Sequence, residues 1–136
     1  MTLCDTGPLV ALINRDDPHH LRCVDTLSSL PPTALVTTWP CLTEAMHLLY
    51  RASGRAAQEE LWGLLADGLL RLHLPTEDEW QRIRELMHQY SDMPLDMADA
   101  SLASASERLG NRTLFSLDQQ LRALVLINDK TFDLVP

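Results

Sequence analysis

Lysine is almost absent from this chain: ten of its eleven basic residues are arginine and only Lys130 is lysine. Bases as a whole are outnumbered by 19 Asp and Glu, leaving a formal net charge of −8. That balance excludes a protein that holds nucleic acid by nonspecific neutralisation of phosphates. A polyanionic substrate would have to be reached through bound cations or a few placed arginines, whose fork suits bidentate phosphate contacts. Cysteine is scarce too. Cys4, Cys23 and Cys41 are odd in number, far apart and never in Cys-x-x-Cys spacing, which argues against a zinc knuckle or redox pair and suits a reducing cytoplasm. No apolar run approaches the roughly 20 residues of a membrane span, and Met1-Thr2-Leu3-Cys4-Asp5 has no basic region of a signal peptide. Repeats, low-complexity tracts and long linkers are also missing.

What is present fits one globular domain over residues 1–136, with 46% hydrophobic and 22% charged residues. Thr2 to Asp5 reads as a short buried strand, and Gly7-Pro8 opens an apolar helical stretch to Ile13. Asp17-Pro18 reads as an N-cap and first-turn proline of a helix running to Leu30, ended by Pro31-Pro32. Ala34 to Thr37 reads as a strand. Thr38 caps a helix that carries Leu42, Ala45, Met46 and Leu49 on one face and stops at Gly54. Arg55 to Asp67 is a further helix, and Leu69 to Leu74 a strand. Thr76-Glu77-Asp78-Glu79 has capping-box spacing and starts a helix to about Ser91, with Trp80, Ile83, Met87 and Tyr90 as its apolar stripe. Asp96 begins a small-residue helix to Gly110. Arg112 to Phe115 is a strand, Asp118 caps a short helix, and Thr131 to Val135 is a last strand.

Strands alternate with helices throughout, which predicts an α/β domain with a mainly parallel sheet and helices on both faces. Sites in such sheets lie beyond the carboxyl ends of the strands. Asp5 ends the first strand and Asp118 follows the fourth. Asp96 and Asp99 open the helix before the fourth strand, and Glu44 lies early in the helix after the second. If the first and fourth strands are neighbours, Asp5 and Asp118 share one edge. Carboxylates gathered there repel one another, and a divalent cation would make the cluster tolerable. All-oxygen ligands favour Mg²⁺ or Mn²⁺ over zinc. Each acid also has a plainer reading. Asp96 and Asp99 have N-cap and N3 spacing, Asp118 is a natural N-cap, and Glu44 lies off its helix's apolar stripe, where a solvated acid is the default. Asp5 is harder to dismiss, because an aspartate ending a buried strand is costly unless paired or metal-bound.

Three segments in order then resemble the PIN-domain ribonucleases, and in particular the small VapC-type toxins of toxin–antitoxin pairs: Leu3-Cys4-Asp5-Thr6-Gly7-Pro8-Leu9-Val10-Ala11-Leu12, Leu95-Asp96-Met97-Ala98-Asp99-Ala100-Ser101-Leu102-Ala103 and Leu114-Phe115-Ser116-Leu117-Asp118. Glu44 falls between them at the family's spacing. The resemblance spans nearly the whole chain. It implies a PIN-like three-layer sandwich around a five-stranded, mainly parallel sheet of order 3-2-1-4-5. It implies a metal-dependent endoribonuclease in which Asp5, Glu44, Asp99 and Asp118 are the acidic quartet, with Asp5, Asp99 and Asp118 as ligands of Mg²⁺ or Mn²⁺. Thr6 matches the hydroxyl that often follows the first aspartate, and Asp96 matches an extra acid of one subgroup. Ser116 stands where the family usually has threonine. Gln119-Gln120-Leu121 replaces a common aspartate and phenylalanine, which bears on whether one or two ions are held.

The resemblance further implies an RNA substrate, a cognate antitoxin protein, a homodimer and a cytoplasmic location. Arg15, Arg51 and Arg55 are candidates for flanking phosphates, against the plainer reading of solvated helix arginines. The helices around Trp39 to Leu65 are candidates for the antitoxin or homodimer surface. Rival readings are weaker. Glu44-x-x-His47 and Glu85-x-x-His88 have the spacing of a di-iron bundle, but the strands contradict a four-helix bundle and Glu85 and His88 should face water. A phospho-receiver module would need an aspartate ending a middle strand, whereas those strands end in Thr37-Thr38 and Leu74-Pro75. A catalytically weak PIN-like scaffold would not need all the acids that are present.

Overall fold

In the computed structural model, which describes residues 1–136, the chain alternates strands and helices from the first residue pair onward. The elements are β1 (Thr2–Cys4), α1 (Thr6–Ile13), α2 (His20–Ser29), β2 (Leu35–Thr38), α3 (Trp39–Ser53), α4 (Arg55–Ala66), β3 (Leu70–His73), α5 (Glu77–Gln89), α6 (Met97–Leu109), β4 (Thr113–Phe115) and β5 (Asp133–Val135). Two short 3₁₀ turns, Gln119–Ala123 and Ile127–Asp129, lie between β4 and β5. The strands pair in the order β3-β2-β1-β4-β5, all parallel, as the alternation and the resemblance predict.

The period of two along each strand divides the core into two layers. Leu3, Val36 and Leu114 point to one face, where they meet Ile83 and Leu86 of α5 and the small residues of α6. Cys4, Leu35, Leu70 and Phe115 point to the other, against Leu9, Leu42, Leu49 and Leu61 of α1, α3 and α4. Helix α6 is buried almost all round, from Ala98 through Ser106, because Ala and Ser let the sheet and α5 approach it closely. Its serines are partnered: the Ser104 hydroxyl donates to the Glu79 carbonyl (3.4 Å) and that of Ser106 to the Asn111 carbonyl (2.5 Å). Gly54 (φ 77°) and Gly110 (φ 65°) close α3 and α6 in the positive-φ region that other residues avoid.

Two local readings of the sequence need correction. Asp17 does not cap α2. Its carboxylate accepts from the His19 amide (2.8 Å) in a turn, and the helix begins at His20. Pro18 therefore shapes the turn rather than the first helical position. At α5, Thr76 is the N-cap residue, but its hydroxyl caps no amide. Instead Thr76 Oγ1 accepts from the Arg108 guanidinium (2.8 Å) and lies 3.4 Å from Glu79 Oε1. Glu79 is drawn inward by His73 Nε2 (2.6 Å) and Arg108 Nε (3.0 Å). Because Glu79 is partnered there, the buried face of α5 runs through Glu79, Ile83 and Leu86. Trp80 and Met87, expected in the core, are left about half and one-third exposed.

Candidate active site

Each acid reaches the site because of where its element starts or stops. Asp5 follows β1 and caps α1. Its backbone amide donates to the Phe115 carbonyl of β4 (2.9 Å), which continues the β1–β4 pairing by one residue. Asp118 follows β4 and caps the first 3₁₀ turn through the Gln120 amide (3.0 Å). Asp96 caps α6 by accepting from the Asp99 amide (2.8 Å), and Asp99 sits in the first turn above it. Glu44 lies in the second turn of α3, one turn after Thr38 caps that helix. The adjacency of β1 and β4 brings these residues together: Asp5, Thr6, Glu44, Asp96, Asp99 and Asp118 line one pocket of about 350 Å³, together with Gly7, Leu48 and Leu117.

Asp5 is the fixed point of this pocket. It is 7% exposed. One carboxylate oxygen accepts from the Thr6 amide (2.7 Å) and the other from the Ser116 hydroxyl (2.7 Å). Ser116 in turn accepts from the Asp118 amide (3.1 Å), so one hydroxyl ties the first acid to the loop bearing the last. Thr6 Oγ1 faces both the Cys41 carbonyl (3.3 Å) and Glu44 Oε2 (3.4 Å).

The electrostatics show the cost of this gathering. Burial, and secondarily Asp118 and Asp96, push Asp5 above the usual carboxylate range despite its two hydrogen bonds. Burial and Asp96 raise Glu44. Asp99 is pushed up to about 7 by burial, then by Asp96 and Asp5. Five acids line the pocket, three of which, Asp5, Asp96 and Asp118, raise a neighbour's affinity for protons, and such a site suits a cation. The donors are all oxygen, as the hard cations Mg²⁺ and Mn²⁺ prefer. No three His, Cys, Asp or Glu side chains stand close enough together to form a finished cage, so the fit lies in donor chemistry and charge.

The remaining expected site residues fall elsewhere. Arg15, Arg51 and Arg55 are exposed and none lines the acidic pocket. Arg55 pairs with Glu59 (2.8 Å) one turn along α4. Along the helices from Trp39 to Leu65 the half-exposed apolar residues are Trp39, Tyr50 and Trp62. The larger apolar groove, about 820 Å³, lies instead between the start of α3 and α5 and includes Trp39, Trp80, Met87 and Met97. Two site features went unread in the sequence. Cys41 lies under the pocket, with its sulfur 3.8 Å from Asp5 Oδ1. Burial and Asp5 push that thiol up to about 12, so it stays protonated. Its i, i+3 spacing before Glu44 on α3 was the available signal. Thr38 was read as a cap only, yet its hydroxyl also lies 2.6 Å from that of Ser101.

Comparison with known proteins agrees with this architecture. The family model described as PIN domain matches residues 2–125. No curated protein matches the chain. Among solved structures the fold is similar to that of VapC20 from Mycobacterium tuberculosis, described as a sarcin-ricin loop cleaving toxin. That match has a TM-score of 0.81 at 22% identity over 88% of this chain and 91% of that one. It is also similar to a chain of a toxin–antitoxin complex from Klebsiella pneumoniae, with a TM-score of 0.65 at 17% identity over 100% of this chain and 97% of that one. With a family match over nearly its whole length, and with a 3-2-1-4-5 parallel sheet that gathers five acids in one pocket, the chain belongs to the PIN domain family.

Proposed function

We propose that this protein is a Mg²⁺- or Mn²⁺-dependent endoribonuclease acting in the cytoplasm as the toxin of a type II toxin–antitoxin pair. The observation that carries the reading is the pocket itself: Asp5, Glu44, Asp99 and Asp118 converge from four separate elements on one oxygen-only site, where burial and neighbouring carboxylates raise the proton affinity of Asp5, Glu44 and Asp99. The descriptions of the two structural neighbours, a sarcin-ricin loop cleaving toxin and a toxin–antitoxin complex, support a cleaving toxin with an antitoxin partner.

Asp5, Asp99 and Asp118 would hold the cation. Bound there, it supplies charge neutralisation for an approaching phosphodiester and lowers the pKa of an attacking water. Ser116 and the Thr6 amide keep the Asp5 carboxylate in one orientation. Glu44, raised above the ordinary carboxylate range and hydrogen-bonded to Thr6, would orient that water or accept its proton. Asp96 holds the first turn of α6 and with it Asp99. Arg15, Arg51 and Arg55 would meet RNA, if at all, outside the pocket. A homodimer is part of the same reading, with the half-exposed Trp39 and Trp62 as apolar anchors.

The test is cleavage of a mixed RNA pool with Mg²⁺ or Mn²⁺ and with EDTA, by wild type, Asp5→Asn and Asp99→Asn. Metal-dependent cutting lost in both variants is the expected result. Equal cutting by the variants would assign the activity to a contaminant. A folded wild type that neither cuts RNA nor binds metal would leave the catalytically weak scaffold as the better reading.

A further inference from the structure

Behind the acidic pocket, the first turns of α3 and α6 are joined by polar groups that are almost wholly buried, with Thr38 and Ser101 at the floor of the apolar groove. Thr38, Cys41 and Ser101 are 2%, 0% and 4% exposed. The Ser101 hydroxyl donates to the Ala98 carbonyl (2.6 Å), which leaves its oxygen to accept from Thr38 Oγ1 (2.6 Å). With its proton so used, Thr38 accepts from the Cys41 amide (3.5 Å). The Cys41 carbonyl accepts from Thr6 Oγ1 (3.3 Å), and its sulfur lies 3.8 Å from both Asp5 Oδ1 and the Ala98 carbonyl. The Ser101 and Thr38 protons each have one acceptor, whereas the Thr6 hydroxyl also faces Glu44 Oε2 (3.4 Å) and the Cys41 thiol faces two acceptors, and together these contacts link α6, α3 and Asp5. Valine and alanine would fill the Thr38 and Ser101 positions without hydroxyls that must find partners when buried. The feature these hydroxyls add is a fixed distance between the helix carrying Glu44 and the helix carrying Asp99.

We infer that Thr38, Cys41 and Ser101 are positioning residues, a buried seam that fixes Asp5 and Asp99 at the spacing with which they would hold a divalent cation and fixes Glu44 at a set distance from them. The inference rests on the nuclease reading for its catalytic consequence, but its direct consequence is cation binding. Groups that orient metal-binding carboxylates typically change metal affinity or activity by about 10- to 100-fold when removed.

The experiment is Mn²⁺ binding, followed by electron paramagnetic resonance, alongside kcat and KM for RNA, on wild type, Ser101→Ala, Thr38→Val, Thr38→Ser and the Thr38→Val/Ser101→Ala pair. Ser101→Ala and Thr38→Val should each weaken Mn²⁺ binding and lower kcat about tenfold with KM for RNA unchanged. Thr38→Ser should retain both, and the pair should be no worse than its poorer single variant. Wild-type Mn²⁺ affinity in Ser101→Ala, or an equal loss in Thr38→Ser and Thr38→Val, would overturn the inference. Should Thr38→Val fail to fold, Ser101→Ala and Thr38→Ser decide the matter. A wild type that binds Mn²⁺ without cutting RNA removes the nuclease reading and leaves Mn²⁺ affinity to judge the seam. A wild type that binds no Mn²⁺ overturns both.

Discussion

At the scale of single residues, the half-buried Asp99 and the buried Glu79 are acids with opposite consequences. Burial and two neighbouring aspartates raise Asp99 to about 7, so the folded protein takes up a proton that the unfolded chain, titrating near 3.8, has already released. A group raised in the fold contributes stability that is complete below its unfolded pKa and is lost as pH rises through its folded one. In EDTA, Asp99→Asn should therefore melt higher than wild type at pH 8, by several degrees for a gain on the order of 2 kcal/mol, and like wild type near pH 4. Adding Mg²⁺ should stabilise wild type and leave the variant unmoved. Equal melting in EDTA at pH 8 would show that Asp99 is not strained by its neighbours. For Glu79, burial would raise the pKa, but hydrogen bonds from His73 and Arg108 outweigh it and the net shift is downward. Its contribution is present above the unfolded pKa and lost as pH falls. Glu79→Ala should cost about 2–3 kcal/mol at pH 7, and less at pH 3, in denaturant titrations.

At the scale of elements, the two readings of Asp96 become separable. It is the N-cap of α6, accepting from the Asp99 amide, and it is also a charge that raises Asp99, Glu44 and Asp5. Asn caps as well as Asp and Ala does not. Asp96→Asn should keep the cap, lower the pH at which Asp99 titrates and melt no lower than wild type at pH 8 in EDTA, whereas Asp96→Ala should lose about 1 kcal/mol of capping stability relative to Asp96→Asn. If Asp96→Asn lost stability as Asp96→Ala does, its charge and not its cap would matter. The elements were largely legible because their punctuation is chemical: Thr38, Asp96 and Asp118 cap where their side chains predict, and Gly54 and Gly110 end helices where a positive φ is needed. The convergence of Asp5, Asp96 and Asp118 was legible for the same reason, since strand ends and helix caps are local features, whereas Glu44, inside α3, rested on the family resemblance. The burial of α5 was not. Its face was set by Glu79, and Glu79 faces inward only because His73 on β3 and Arg108 on α6 meet it there. Partners 6 and 29 residues away leave no mark in a helical period. The Thr38–Ser101 contact, 63 residues apart in sequence, was hidden for the same reason.

At the scale of the whole molecule, a protein of net charge −8 is proposed to act on a polyanion. The acids that would bind the cation are also those that repel the substrate most directly, since they line the pocket a phosphate must enter. In water, like charges a few ångströms apart cost about 1 kcal/mol each, and more where solvent is excluded. Without a divalent cation, wild type should therefore bind RNA weakly at any site reached through this pocket. At pH 8, above the Asp99 titration, replacing Asp5, Asp99 and Asp118 by Asn removes the negative charge these acids carry while keeping side chains of the same shape. In EDTA the triple variant should bind single-stranded RNA at least tenfold more tightly than wild type, the change expected from about 1.4 kcal/mol of relieved repulsion, and should cut none of it. The gain should shrink as salt is raised from 50 to 200 mM, because screening weakens the repulsion that wild type suffers. Filter binding at two salt concentrations measures this directly. If wild type and the triple variant bind equally in EDTA, RNA does not approach through the acidic pocket and the active site must be sought on another face.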